Sequence, residues 1–207
     1  MRPQEAQLQY PLSDMLPPPG QCVAVAPGVK WVRMGLPFAL DHINLWLLRD
    51  EIDGRAGWSI VDCGIDAPQS RAHWESLFAH ALEGLPVLRV IVTHMHPDHI
   101  GLAHWLCARW QAPLWMSGTD YAVARNACTE DNAQAGAMAA AFMQSHGWTD
   151  SSDMARLQAR SGFYATLVPQ LPPTYRRIQD GARIAIGTHT WQCISGFGHA
   201  PEHMALY

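Results

Sequence analysis

A chain of 207 residues with 48% hydrophobic and only 15% charged residues has enough apolar material for one globular domain, which excludes a disordered segment. Fourteen Lys and Arg against eighteen Asp and Glu give a net charge of −4, which offers no general basic face to nucleic-acid phosphates. Five scattered cysteines without a C-x-x-C spacing exclude a disulfide framework and a cysteine-rich zinc finger, whereas eleven histidines point to metal chemistry.

Residues 1–20 form an extended lead-in that closes in Pro17-Pro18-Pro19-Gly20 and lacks the apolar run of a signal peptide. Residues 21–207 read as one domain. No stretch approaches the roughly 18 apolar residues that cross a membrane. With the absence of a disulfide pattern, this leads to an expectation of a cytoplasmic protein. From Cys22 to Asp62 the chain breaks at Pro27-Gly28 and Asp53-Gly54, which predicts a meander of strands over 22–26, 29–34, 42–48 and 58–62.

The period then lengthens. Trp74, Leu77, Phe78, Ala81 and Leu82 recur at helical spacing, so a helix is predicted over 70–85, stopped by Gly84 and Pro86. Val87 to Val92 predicts a buried strand. A second helix is predicted over 100–110 and a short strand over 113–116. Residues 120–175, rich in Ala and Met, predict helices over 119–145 and 152–168. This helical insertion reads first as packing helices, with a lid over a site as the alternative. Arg183–Ile186 and Thr190–Ser195 predict a hairpin.

Between the buried strand and the second helix lies Thr93-His94-Met95-His96-Pro97-Asp98-His99. A chain of this composition contains such a pattern about 0.002 times by chance. Residues two apart on extended backbone project to one side, so His94 and His96 can grip one ion. Asp98 and His99, past a proline bend, can face a second. Neutral imidazole and carboxylate suit zinc, iron or manganese.

This segment resembles the H-x-H-x-D-H signature of the metallo-β-lactamase-fold metallohydrolase superfamily. His42-Ile43-Asn44-Leu45 is similar to an early strand of that family, Val61-Asp62-Cys63-Gly64 to its D-x-G turn, and Gly198-His199-Ala200-Pro201 to its G-H-x-P segment. The resemblance implies an α+β fold, a four-layer αββα sandwich, with helices outside two facing sheets and metals at the edge between them. It also implies that His94, His96 and His199 hold one metal, that Asp98 and His99 belong to a second, and that Asp62 orients the metal-bearing loop by hydrogen bonds. Family members continue with another aspartate and another histidine. Here no aspartate follows Asp180 and no histidine follows His203. The expectation is therefore a C-terminally truncated chain with an incomplete second half, one tight metal and low activity. Glu202 and His203 read as ordinary loop residues, with substitute ligands as the alternative.

The activity expected on this basis is hydrolysis of an ester, thioester or lactone by a metal-bound hydroxide, since zinc lowers the pKa of bound water to about 7. Asp98 is the expected catalytic group, a ligand that also orients the hydroxide. The cofactor is expected to be one or two Zn ions, with Fe or Mn as alternatives. A metal-dependent phosphodiesterase or ribonuclease is the alternative activity, for which Arg156, Arg160, Arg176 and Arg177 leave room. An inactive metal-binding fragment is the third reading. The expected partner is a small-molecule substrate, with no membrane, and with nucleic acid kept only as the partner of the ribonuclease alternative. The open sheet edge of a truncated fold predicts association or a homo-oligomer.

Overall fold

The computed structural model describes every residue except 1–6, 8, 10, 13, 130–134 and 160–161. Parts of the expected lead-in and helical insertion, with Arg160, thus lie outside the described residues. Strands β1 (Cys22–Ala26), β2 (Val29–Gly35), β3 (His42–Ile52) and β4 (Arg55–Val61) form the expected antiparallel meander. The pairing then turns parallel through β5 (Val87–Ile91), β6 (Leu114–Ser117) and β7 (Arg176–Ile178), giving a seven-stranded sheet in chain order.

Parallel neighbours need long crossovers, and helices supply them. The helix α1 (Pro68–His80) links β4 to β5, and α2 (Pro97–Ile100) with α3 (Ala103–Trp110) links β5 to β6. Between β6 and β7 come α4 (Gly118–Ala127), α5 (Ala135–Ser145), α6 (Ser151–Ala159) and α7 (Phe163–Leu167). A second, antiparallel sheet holds β8 (Arg183–Ile186), β9 (His189–Gly196) and β10 (His203–Leu206), in the order β10-β9-β8.

Two cores follow from this layering. On the helix side, Trp74, Leu77 and Leu106 pack against Leu45, Leu47, Ile60 and Met116. Between the sheets, Leu48, Val61, Ile91 and Ile178 meet Ile184, Ile186, Cys193 and Met204. The expected two-sheet sandwich is present, with its helices outside the larger sheet. Arg183, Ala185, Gln192 and Ile194, on the outer face of the small sheet, are exposed.

Several boundaries differ from the sequence expectation for local reasons. The helix predicted over 70–85 stops at His80, because Glu83 and Gly84 both take left-handed backbone (φ 56° and 72°) that no α-helix continues. The helix predicted over 100–110 divides, because the Leu102 N–H donates to the Gly64 carbonyl instead of to its own helix. The contact requires glycine at 101, where a Cβ would lie 2.6 Å from the Pro97 oxygen and 2.8 Å from the Gly64 oxygen. Among the described residues the insertion carries four helices rather than two. The three-residue strand β7 was not predicted, since Arg-Arg-Ile has no readable period.

All five residues of β5 are buried, and the run is apolar except at Arg89. That guanidinium donates from Nε to Asp50 Oδ2 at 2.8 Å and from Nη2 to the Ala185 carbonyl at 2.8 Å. Asp50 also accepts from Ser59 Oγ, from the Glu51 N–H at 2.8 Å and from the Gly187 N–H at 3.1 Å. One ion pair thus clasps the β8–β9 hairpin to the large sheet. Removing one member of a buried pair strands the other charge, at a cost of about 3–5 kcal/mol. Arg89→Met is expected to lower the unfolding free energy by that amount in denaturant titration, and Arg89→Met with Asp50→Leu to recover most of it. Equal loss in the single and double variants would contradict the clasp.

Candidate metal centre

The strands β4 and β5 run parallel and end at the same rim. Asp62 follows β4 directly and takes left-handed backbone (φ 62°), unusual for a residue with a side chain. The turn aims its carboxylate across to the segment after β5. Oδ1 accepts the Thr93 N–H at 2.8 Å, and Oδ2 accepts from Thr93 Oγ1 at 2.9 Å and faces His99 Nδ1 at 2.8 Å. The Cys63 N–H donates to the His99 carbonyl at 2.7 Å, and the Met204 N–H to the Thr93 carbonyl at 2.8 Å, which pins β10 to the same loop.

On this scaffold three imidazoles converge. His94 Nε2 lies 2.9 Å from His96 Nδ1, His96 Nδ1 3.1 Å from His199 Nε2, and His199 Nε2 3.2 Å from His94 Nε2. A neutral imidazole has one N–H and one lone pair, so three nitrogens aimed at one point cannot all satisfy one another. The donor set fits a divalent cation, which accepts all three lone pairs at once. His94 Nδ1 stands 2.9 Å from Thr93 Oγ1, which orients the ring.

Asp98 and His99 stand beside this group rather than in it. His99 Nε2 lies 3.3 Å from Asp98 Oδ2, and the His99 ring centroid is 3.9 Å from that of His94. His203 is the first residue of β10, not a loop residue, and its ring centroid lies 5.1 Å from that of His94. Glu202 is turned away from the cluster, its Oε2 accepting the Thr119 N–H at 3.3 Å. An apolar cavity of about 360 Å³ between the sheets, lined by Trp46, Val61, Trp191 and Leu206, reaches Asp62 and Thr93.

Burial and the surrounding imidazoles of His99, His96, His203 and His199 push His94 down to about 2. Burial and His199 also lower His96, and burial lowers His203. His99 goes the other way: burial opposes its charge, but hydrogen bonds to Asp62 and Asp98 push it up to about 9. For Asp98 burial favours the neutral acid, yet His99 holds the carboxyl below its usual range. At neutral pH the convergent pair His94 and His96 therefore keep free lone pairs, while His99 is a cation between two carboxylates.

Two contributors were not read from the sequence. Asp120 is fully buried, and its oxygens accept the Met95 N–H at 2.8 Å and the Glu202 N–H at 2.6 Å. Tyr164 on α7 donates to the Met95 carbonyl at 2.6 Å. Ser117-x-x-Asp120 is a visible helix-capping pattern, and Ser117 does accept the Asp120 N–H. The pattern does not reveal that the Asp120 side chain turns toward two other segments. Nothing local marks Tyr164.

Comparison with known proteins agrees with this fold. The family model of the metallo-beta-lactamase superfamily matches residues 39–207. A beta-lactamase domain protein from Burkholderia ambifaria is similar at 50% identity and a TM-score of 0.84, over 98% of this chain and 57% of its own. A metallo-beta-lactamase family protein from Thermus thermophilus shares 23% identity at a TM-score of 0.63, over 89% of this chain and 56% of its own. A protein solved in a di-iron-bound form shares 22% identity at a TM-score of 0.52, over 85% of this chain and 66% of its own. The chain thus spans little more than half the length of the first two. A search of curated protein sequences finds no match.

The two opposed histidines set the pH response of the metal-free protein. Unfolded histidine titrates near about 6.5. His94, lowered to about 2 in the fold, makes stability fall as the pH drops below about 6.5, because the unfolded chain takes up the proton that the fold refuses. His99, raised to about 9, stabilises fully below about 6.5 and loses that contribution as the pH rises toward 9. Denaturant midpoints of metal-free protein should therefore peak near about pH 6.5. His99→Gln should flatten the alkaline limb, and an unchanged limb would show that His99 is not charged in the fold.

Proposed function

The chain belongs to the metallo-beta-lactamase superfamily, whose members are in general metal-dependent hydrolases, and on that footing we propose that it carries the metal site of a hydrolase acting on an ester, thioester or lactone. The observation that carries this reading is the convergence of His94, His96 and His199 to nitrogen separations of 2.9–3.2 Å. These three residues hold one cation, and Asp98 with His99 flank a second position. Zinc is the ion proposed, with iron and manganese suited to the same donors. When bound, such an ion lowers the pKa of a water and polarises a substrate oxygen.

The rest is the work of the chain's own residues. Asp62 holds His99 and Thr93 holds His94 by hydrogen bonds, so both rings are oriented before any ion arrives. Asp98, ionised at neutral pH, accepts a hydrogen bond from the attacking water and orients it toward the acyl carbon. The apolar cavity that reaches Asp62 and Thr93 supports an acyl substrate, since it can take a hydrocarbon part out of water. The net charge of −4 speaks for a neutral or weakly charged small molecule over a polyanion. Five free cysteines accord with a cytoplasmic setting. Among the described residues, no helix is long and apolar enough to cross a membrane.

Protein purified without chelator is expected to contain zinc, iron or manganese by elemental analysis, and to hydrolyse a thioester or lactone faster than a phosphodiester. His199→Ala should weaken the metal affinity by more than the about 10–100-fold typical of changes outside the ligands themselves. Folded protein that neither contains nor takes up metal would refute this reading.

A further inference from the structure

The peptide of Met95 lies between His94 and His96, and both of its polar groups are held by side chains from distant segments. Its N–H donates to Asp120 Oδ1 at 2.8 Å, and its carbonyl accepts from the Tyr164 hydroxyl at 2.6 Å. Asp120 is fully buried at the start of α4 and holds more than this loop. Its Oδ2 accepts the Glu202 N–H at 2.6 Å, three residues after His199, and Ser117 Oγ donates to the same oxygen at 3.3 Å. One carboxylate therefore bridges the two loops that bear all three convergent histidines.

We propose that Asp120 and Tyr164 are positioning residues for the histidine cluster: they clamp the Met95 peptide from its two ends, so that His94 and His96 share one direction, and Asp120 sets the distance to the His199 loop. The inference rests on the reading of His94, His96 and His199 as metal ligands. It also assigns a role to α7, the last helix of the insertion. That helix is a strut, joined to the metal-binding loop through Tyr164 and to the turn after β4 through the Asp66 N–H, which donates to the Leu167 carbonyl at 3.4 Å. Half-buried beside Cys128 and Asp120, the Tyr164 phenol is pushed above its ordinary range and remains a donor at neutral pH.

The clamp has a thermodynamic corollary. If ordering of α7 favours the metal-ready loop, metal must favour ordering of α7 by the same factor. Metal binding should then slow hydrogen exchange in α7, although α7 contributes no ligand.

The test compares wild type, Asp120→Asn and Tyr164→Phe, all full-length and confirmed folded by circular dichroism. Zinc affinity is measured by chelator competition, and the stability of each metal-free protein is measured separately. Asp120→Asn keeps the shape but replaces one acceptor oxygen with an amide donor, so zinc affinity should fall about 10–100-fold. Tyr164→Phe removes one donor, so a smaller fall of about tenfold is expected. In wild type, zinc should slow exchange over 163–167, and Tyr164→Phe should abolish that slowing. A purely structural role would lower metal-free stability and leave zinc affinity within twofold of wild type, and that result overturns the proposal. If Asp120→Asn does not fold, Tyr164→Phe decides alone. If wild type binds no zinc, the metal reading fails, and the clamp is judged in metal-free protein by the exchange of the Met95 amide. Unchanged exchange there in both variants overturns it.

Discussion

Asp62 is a carboxylate taken out of water at the rim of the sandwich, and its oxygens are satisfied by the turn after the neighbouring strand. An unpaired carboxylate in that position would cost several kcal/mol. Thr93, through both its amide and its hydroxyl, and His99 provide the compensation. The left-handed backbone at Asp62 adds a strain of about 1–3 kcal/mol, tolerable only because those bonds over-determine the turn. The positions of the imidazoles at this rim follow from this contact. It sets where the segment after β5 begins, which sets His94 and His96, and its tie to His99 sets the start of α2. The Met204 bond to Thr93 then brings the small sheet, and with it the His199 loop, into the same frame.

How much of this was legible varied with the range of the information. The meander, the buried strand and the β8–β9 hairpin were readable because period and turn residues are local. H-x-H-x-D-H was readable because its spacing improbably collects one kind of donor. The split at Gly101 was not, because the competing acceptor at Gly64 is distant in sequence. Asp120 and Tyr164 were not, because their partner Met95 lies 25 and 69 residues away and neither residue shows a recurrent spacing. His203 looked like a loop residue because a strand of four residues, His-Met-Ala-Leu, is too short to declare its period.

The molecule buries charge at both ends of the sandwich, by different means. Near the β8–β9 turn, Arg89 and Asp50 neutralise each other and join the sheets, and neighbouring protein groups satisfy their remaining hydrogen bonds. At the other rim three imidazoles crowd together with lone pairs facing inward. A pairwise arrangement suits a joint, while a convergent one leaves an electrostatic demand that a cation answers.

His199 is 105 residues from His94, its partner at the rim. A ribosome adding about 5–20 residues per second makes His94 and His96 well before His199 exists. During those seconds the nascent chain presents a two-imidazole fragment without the third ligand. Such a fragment follows the general order of metal affinities, in which copper outcompetes zinc. Only after β9 has formed does a tetrahedral preference become available to the site. If the three histidines hold an ion as proposed, the third donor therefore arrives last, well after the two that follow β5.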